Sequence, residues 1–246
     1  MYELSTIRSA IAMLVIVAMH LLSARIERAA GAQLRTLLAV AGGIAVGYVF
    51  VGLLPKIGVY TARIVAAEPA SPEFVQYRLY LLSLAGLLLY FTADRFRVGR
   101  ADSGAALAIH SLAFAGYNAL VGYLLAHAST QRSGYVPHVL LAAVMAIHLF
   151  AMNHQLRASH RAAFDRWLRW LVAAAVASGW LAGLLVPVSE EALAAWAAVL
   201  AGGILINVFN EELPRERDGQ VALFLLGVVI VVAVAALFRT LTKSLG

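Results

Sequence analysis

The chain contains no cysteine among its 246 residues. Disulfides, thiolate metal ligands and a cysteine nucleophile are therefore excluded, and the redox compartment stays open. Charged residues are also scarce, at 13% of the chain against about 25% in an ordinary soluble domain. The sequence has no His-Glu-x-x-His motif and no visible set of nucleophile, base and orienting group, so we do not expect an enzyme.

Apolar residues instead make up 62% of the chain, and the mean hydropathy is +0.84. A water-soluble core could not bury so many apolar side chains. A helix needs about 20 mostly apolar residues to cross about 30 Å of hydrocarbon, so a chain of this length accommodates about eight crossings. We therefore predict an all-α, polytopic membrane protein with one transmembrane domain over residues 1–246 and the lipid bilayer as its main partner.

Apolar segments separated by polar residues carry this prediction. In chain order, segments 1 to 8 centre on residues 9–24, 36–54, 79–92, 104–126, 138–154, 168–186, 193–210 and 221–238. Segment 1 follows Arg8 as the apolar part of a signal peptide would, but it continues to about Leu22 and more spans follow. We expect it to be a retained helix.

Lysine and arginine predict the orientation of these segments. With both termini outside, the inside loops hold most of the 19 basic residues, as the positive-inside rule requires. We expect a multi-pass protein of the inner (plasma) membrane with both termini extracytoplasmic. The basic residues are scattered in small groups and form no single stripe, so we expect no nucleic-acid partner.

Polar side chains inside apolar segments are the candidate functional residues, because a charged group at mid-membrane costs about 2.5–3.5 kcal/mol. In segment 4, His110 and Tyr117 are two turns apart on one face, and Asn118 lies about 80° round the helix. In segment 5, His148 and Met152 follow one face, with Asn153 beside them. Neutral imidazoles from two helices, with amide or carboxylate oxygens, are suitable ligands for a divalent transition metal.

Segment 7 adds an acidic candidate, because Glu211 follows Asn207 by one helical turn. The predicted metal ligands are thus His110, Asn118, His148, Met152, Asn153 and Glu211. Instead of binding metal, Glu211 and Glu212 could equally be carboxylates at the membrane interface that pair with Arg215 or Arg217. For His110 and His148, the alternative to a metal ligand is a hydrogen-bonded histidine in the protein interior. We assign no role to His20, which has no polar neighbour in segment 1, and we expect His154 and His160 at the membrane interface.

Four stretches resemble the ZIP (Zrt, Irt-like) metal-transporter family, in particular its bacterial ZIP-like members. Residues 41–58 resemble the Gly-rich second helix of that family, 76–96 the third, 110–125 the fourth and 202–219 the seventh. The resemblance covers most of the chain from about Ala39 onwards. It implies a ZIP-like bundle of eight transmembrane helices with both termini outside.

The resemblance also implies a metal site between helices four and five, where the family reads His-Asn-x-x-Asp-Gly and His-Glu-x-Pro-His-Glu. His110 and His148 match the first histidine of each motif, and the departures are Ser111, Phe114, Leu149, Ala151 and Met152. The implied substrate is a divalent transition metal of the zinc type, transported or bound at a degenerate site. A second copy of the chain is a candidate partner.

Two other functions are compatible with the same residues. The first is a transport-inactive ZIP-fold sensor or scaffold in the membrane. The second is a haem-binding membrane protein with His110 and His148 as axial ligands on facing helices.

Overall fold

The computed structural model describes residues 2–67, 72–97, 104–128, 138–209 and 220–244. These residues are almost entirely helical and contain no strand, which confirms the all-α prediction for the part of the chain described. The helices are α1 (Tyr2–Ala30), α2 (Leu34–Tyr48), α3 (Leu54–Ala67), α4 (Pro72–Arg97), α5 (Gly104–Ala128), α6 (His138–Ser159), α7 (Arg161–Ala163), α8 (Arg169–Leu185), α9 (Glu190–Asn207) and α10 (Gln220–Ser244).

Five helical stretches in the described ranges are long and apolar enough to cross a membrane. They are Thr6–Arg63, Leu107–His127, Arg161–Leu185, Glu190–Asn207 and Gln220–Leu237. Large apolar side chains also face outwards, such as Leu14 on α1, Leu89 on α4 and Val229 on α10. An aliphatic surface of this kind suits contact with lipid, so length, composition and exposure together support a helical membrane protein.

The long stretch Thr6–Arg63 is divided at Gly31. This glycine has a φ of 48°, a left-handed conformation that favours glycine because it has no Cβ. A 3₁₀ turn, Gly31–Gln33, follows and separates α1 from α2. A π-helical turn, Val49–Leu53, then joins α2 to α3. We attribute that turn to Pro55, which has no N–H to donate to the preceding turn of helix.

Small residues allow three helix pairs to approach closely, as expected in lipid, where association relies on packing. The pairs are α2 with α10, α4 with α9 and α5 with α8. A Cβ added to a glycine in each pair would overlap a backbone carbonyl of the facing helix: Gly43 meets Phe224, Gly202 meets Ser83 and Gly122 meets Val176. These glycines therefore allow close packing of the helices. Gly116 has no such atom within 4 Å and does not serve this role.

Helix α6 is buried over most of its described length, and α1 packs one face against α6 and α8. Helix α6 also contacts α2. Fully buried side chains such as Ile16 of α1 and Leu149 of α6 form the core with Leu125 of α5. Polar side chains on the inner faces of α1, α5 and α6 must therefore find partners among one another.

Candidate functional site

The interior histidines meet polar side chains of neighbouring helices in three buried pairs. His20 contacts Asn153 at 2.9 Å, Tyr117 contacts His148 at 3.0 Å, and His110 contacts His160 at 3.2 Å. His148 is fully buried, and His20 and His110 are only 1% and 4% exposed. These histidine side chains therefore face the interior of the protein, and His110 and His148 have polar partners there.

His20, Asn118 and Asn153 bring α1, α5 and α6 together. His20 Nδ1 donates to Asn153 Oδ1 at 2.9 Å, because an amide oxygen only accepts. The Asn118 side chain makes a hydrogen bond to the same ring, and its Nδ2 donates to the Phe114 carbonyl at 2.8 Å. His20 thus joins an amide side chain of α5 to one of α6.

Tyr117 and His148 form the second pair. The Tyr117 hydroxyl and His148 Nε2 are 3.0 Å apart, and both side chains are fully buried. The Tyr90 ring packs edge-on against Tyr117 with the ring centroids 5.4 Å apart. This aromatic contact holds the tyrosine hydroxyl towards α6 and so orients it for the imidazole.

His110 and His160 form the third pair, at the end of α6. His110 Nδ1 and His160 Nε2 are 3.2 Å apart, and the rings cross nearly perpendicularly with centroids 5.3 Å apart. His160 is only 9% exposed, so its side chain is buried within the protein. Its expected position at the level of the membrane interface stays a prediction. The chain bends at His160, between α6 and α7, and the bend turns the side chain onto α5.

The predicted metal ligands are thus divided among different contacts. Asn118 and Asn153 meet at His20, which sequence reasoning had set aside, whereas His110 and His148 have separate partners. Met152 is buried in the core, and Glu211, like Asn210 and Glu212, lies outside the described residues. No group of three or more His, Cys, Asp or Glu able to hold a metal occurs in the described ranges. The metal site stays a prediction.

A charged cluster, which the sequence did not predict, lies at the end of α6 beside these pairs. Arg157 donates to both carboxylate oxygens of Asp165, at 2.8 and 3.1 Å, and to Glu27 of α1 at 2.9 Å. His154 Nδ1 lies 3.3 Å from the other oxygen of Glu27. Glu27 is only 8% exposed, so the cluster ties α1, α6 and the turn before α8 together across a desolvated contact.

A cavity of about 60 Å³ lies towards the other end of α5. Tyr48, Lys56, Tyr60 and His127 supply its polar groups, and apolar side chains including Val121 and Met145 supply the rest. Val121 is one turn after Tyr117 on α5, and Met145 is one turn before His148 on α6. Because residues one turn apart share a helix face, the cavity lies next to the Tyr117–His148 pair.

The polar groups therefore follow one another along α5. His110 and His127 are 17 residues apart, which corresponds to about 25 Å of helix, and Tyr117 and Asn118 lie between them. Neither a protein-family model nor a curated protein matches this sequence.

Proposed function

We propose that this protein is a divalent-metal transporter of ZIP-like fold, with a transition-metal ion of the zinc type as its substrate. The proposed fold has eight crossings, formed by α1, α2 with α3, α4, α5, α6, α7 with α8, α9 and α10, with both termini outside. The observation that carries the proposal is a set of buried imidazole and amide side chains, in three separate contacts between helices, in the interior of an apolar bundle.

The order of the polar groups supports transport better than a single static site. Along the bundle they are the cavity at Lys56, the Tyr117–His148 pair, the His20–Asn118–Asn153 group and, together at the end of α6, the His110–His160 pair and the Arg157 cluster. Imidazole nitrogen and amide oxygen are suitable ligands for a transition metal. Several weak sites in series bind an ion strongly enough to admit it and weakly enough to release it.

Zinc uptake tests this proposal. The purified protein is reconstituted into liposomes that contain a zinc-sensitive dye, and we expect uptake to fall at least tenfold in His148→Ala and in His110→Ala. The matched control is Ser178→Ala on the exposed face of α8, which should transport as the wild type does. Uptake that is equal in the wild type, both histidine variants and protein-free liposomes would exclude transport of this ion.

A transport-inactive protein of the same fold is the second candidate, and one observation favours it. The Phe114 ring packs against His110 with the ring centroids 5.9 Å apart, where the ZIP motif has an acidic residue. Phe114→Asp separates the two candidates. A gain of zinc uptake in this variant over an inactive wild type would identify a scaffold or sensor that has lost transport.

Lys56 is expected to slow the entry of a cation into the cavity that it lines. The Lys56 side chain lines the cavity together with Tyr48, Tyr60 and His127. Removing its positive charge in Lys56→Gln should raise the initial rate of zinc uptake about threefold at low ionic strength, and about 0.5 M salt should remove the difference. Arg78→Gln is the control, because this arginine lies at the surface beside Glu191 and does not line the cavity. An equal or lower rate in Lys56→Gln would show that zinc does not enter here.

A further inference from the structure

We propose that the cavity lined by Tyr48, Lys56 and Tyr60 is a binding site for a small aliphatic carboxylate. The carboxylate group would contact these three side chains, and the aliphatic tail would contact the apolar wall of the cavity. The inference goes beyond the proposed function, because it concerns a second ligand of opposite charge and does not depend on zinc transport.

The Tyr48 hydroxyl is the first observation that supports this site. Tyr48 is 3% exposed and lines the cavity, and its hydroxyl makes no hydrogen bond to any residue that the structure describes. A buried tyrosine O–H usually has a hydrogen-bond partner, and a buried donor without one costs about 1–3 kcal/mol. A ligand that accepts this hydrogen bond inside the cavity would remove that cost.

The π-helical turn Val49–Leu53 brings Tyr48 and Lys56 to one face of the helix. The two residues are eight apart in the sequence, so in an unbroken α-helix they would lie about 80° apart around the axis. The wider π turn accommodates one extra residue and reduces this angle to about 20°. Gly52, inside the turn, leaves room for the tyrosine ring, because a Cβ there would lie 2.7 Å from Tyr48 Cε2.

Lys56 selects the sign of the ligand. Its ammonium lines the cavity, where a charge acts more strongly than in water, so an anion is attracted and a cation repelled. An ammonium has three N–H donors, so Lys56 can donate to a ligand while it keeps a contact with the protein. Tyr60, one turn after Lys56 on the same face, adds a second hydroxyl to the cavity. These groups suit the two oxygens of a carboxylate.

The rest of the wall and the volume define the tail of the ligand. Leu125, Met145 and Leu200 line the cavity and are themselves buried, so an aliphatic group placed against them is removed from water. The volume of about 60 Å³ has room for about four to six water-sized groups, and acetate, propionate and butyrate are of this size. An inorganic anion would leave the apolar wall without a contact, so the cavity favours a short aliphatic carboxylate.

Equilibrium dialysis of radiolabelled propionate against the full-length protein in detergent tests the site. We expect Lys56→Gln to weaken binding at least about tenfold and Tyr48→Phe at least about fivefold, because each removes one hydrogen bond to a charged ligand. Arg78→Gln and Tyr80→Phe are the matched controls, since both side chains are exposed on α4 away from the cavity. Both controls should bind propionate as the wild type does.

Thermal unfolding separates a loss of binding from a loss of folding. Tyr48→Phe removes a hydroxyl that has no partner among the described residues, so the Tm of this variant without ligand should equal or exceed that of the wild type. Propionate at about a hundredfold excess over its Kd should raise the Tm of the wild type by about 5–10 °C. The same concentration should raise the Tm of Tyr48→Phe by much less.

Three outcomes would overturn the inference. They are a wild type without saturable propionate binding, wild-type affinity in both Lys56→Gln and Tyr48→Phe, and equal binding of propionamide, which has the shape of propionate without its charge. Chloride that displaces propionate at equal concentration would also overturn it, because the cavity would then recognise charge alone. Zinc uptake into liposomes is measured separately, so either the proposed function or this site can fail without the other.

Discussion

Arg157→Met is expected to lower the free energy of unfolding by about 3 kcal/mol, the lower end of the range for breaking a buried ion pair. Methionine keeps an unbranched apolar stem but donates no hydrogen bond. The carboxylate of Glu27, 8% exposed, would then keep only His154 at 3.3 Å. We expect the lower end because Asp165, the other partner of Arg157, is 40% exposed and water compensates it.

The measurement is thermal unfolding in detergent, followed by tryptophan fluorescence, with an expected fall in Tm of about 6–12 °C. Arg78→Met is the control, because the Arg78–Glu191 pair is 39% and 46% exposed and should contribute at most about 1 kcal/mol. Adding Glu27→Gln to Arg157→Met should recover part of the loss by removing the unpaired charge. Equal losses in Arg78→Met and Arg157→Met would show that the Arg157 cluster is solvated.

Gly122→Ala is expected to destabilise the protein by about 1–3 kcal/mol, the cost of overpacking a close contact. The added methyl group would overlap the carbonyl of Val176 on α8. Since the obstacle is backbone, it cannot move aside as the end of a long side chain can. Gly179 on α8 makes the reciprocal contact with the Ala119 carbonyl of α5, so Gly179→Ala should have a similar effect.

Gly116→Ala provides a control of opposite sign on the same helix. Gly116 is exposed, and no other side chain or distant backbone atom lies within 4 Å of its added Cβ. Alanine is favoured over glycine in a helix by about 1 kcal/mol, so this variant should be unchanged or more stable. Thermal unfolding in the same detergent compares the three variants. A Gly122→Ala protein as stable as Gly116→Ala would mean that α5 and α8 separate at little cost.

Hydrophobic length predicted the helices well. Segment 4, predicted at residues 104–126, corresponds to α5, Gly104–Ala128. Segment 8, predicted at residues 221–238, corresponds to α10, Gln220–Ser244. The ends were less accurate where polar residues continue a helix beyond the apolar part. Segment 3, predicted at residues 79–92, corresponds to the longer helix α4, Pro72–Arg97. A helical backbone can continue through polar residues, and proline is well accommodated in the first turn of a helix.

The site was harder to predict, and His20 shows why. Periodicity relates a residue to others on its own helix, and His20 has no polar neighbour there. Its partner Asn153 is 133 residues away, and Glu27 and Arg157 are 130 residues apart. The cost of an imidazole in lipid was a signal that could have identified His20, since a buried histidine needs a partner from another helix.

The sequence by itself determined that this chain is helical and too apolar to be a water-soluble protein. It also determined that histidine and asparagine side chains would raise the free energy if they faced lipid. These properties depend only on residue type and spacing. Only the tertiary structure decided which helices face each other. Close approach at Gly122, Gly202 and Gly43 joins three pairs of helices, and one face of α1 packs against α6. That packing brings Asn153 to His20 and gives His110 and His148 separate partners. The periodicity of one helix shows which residues share its own face, but the pairing of two helices depends on how both surfaces fit together.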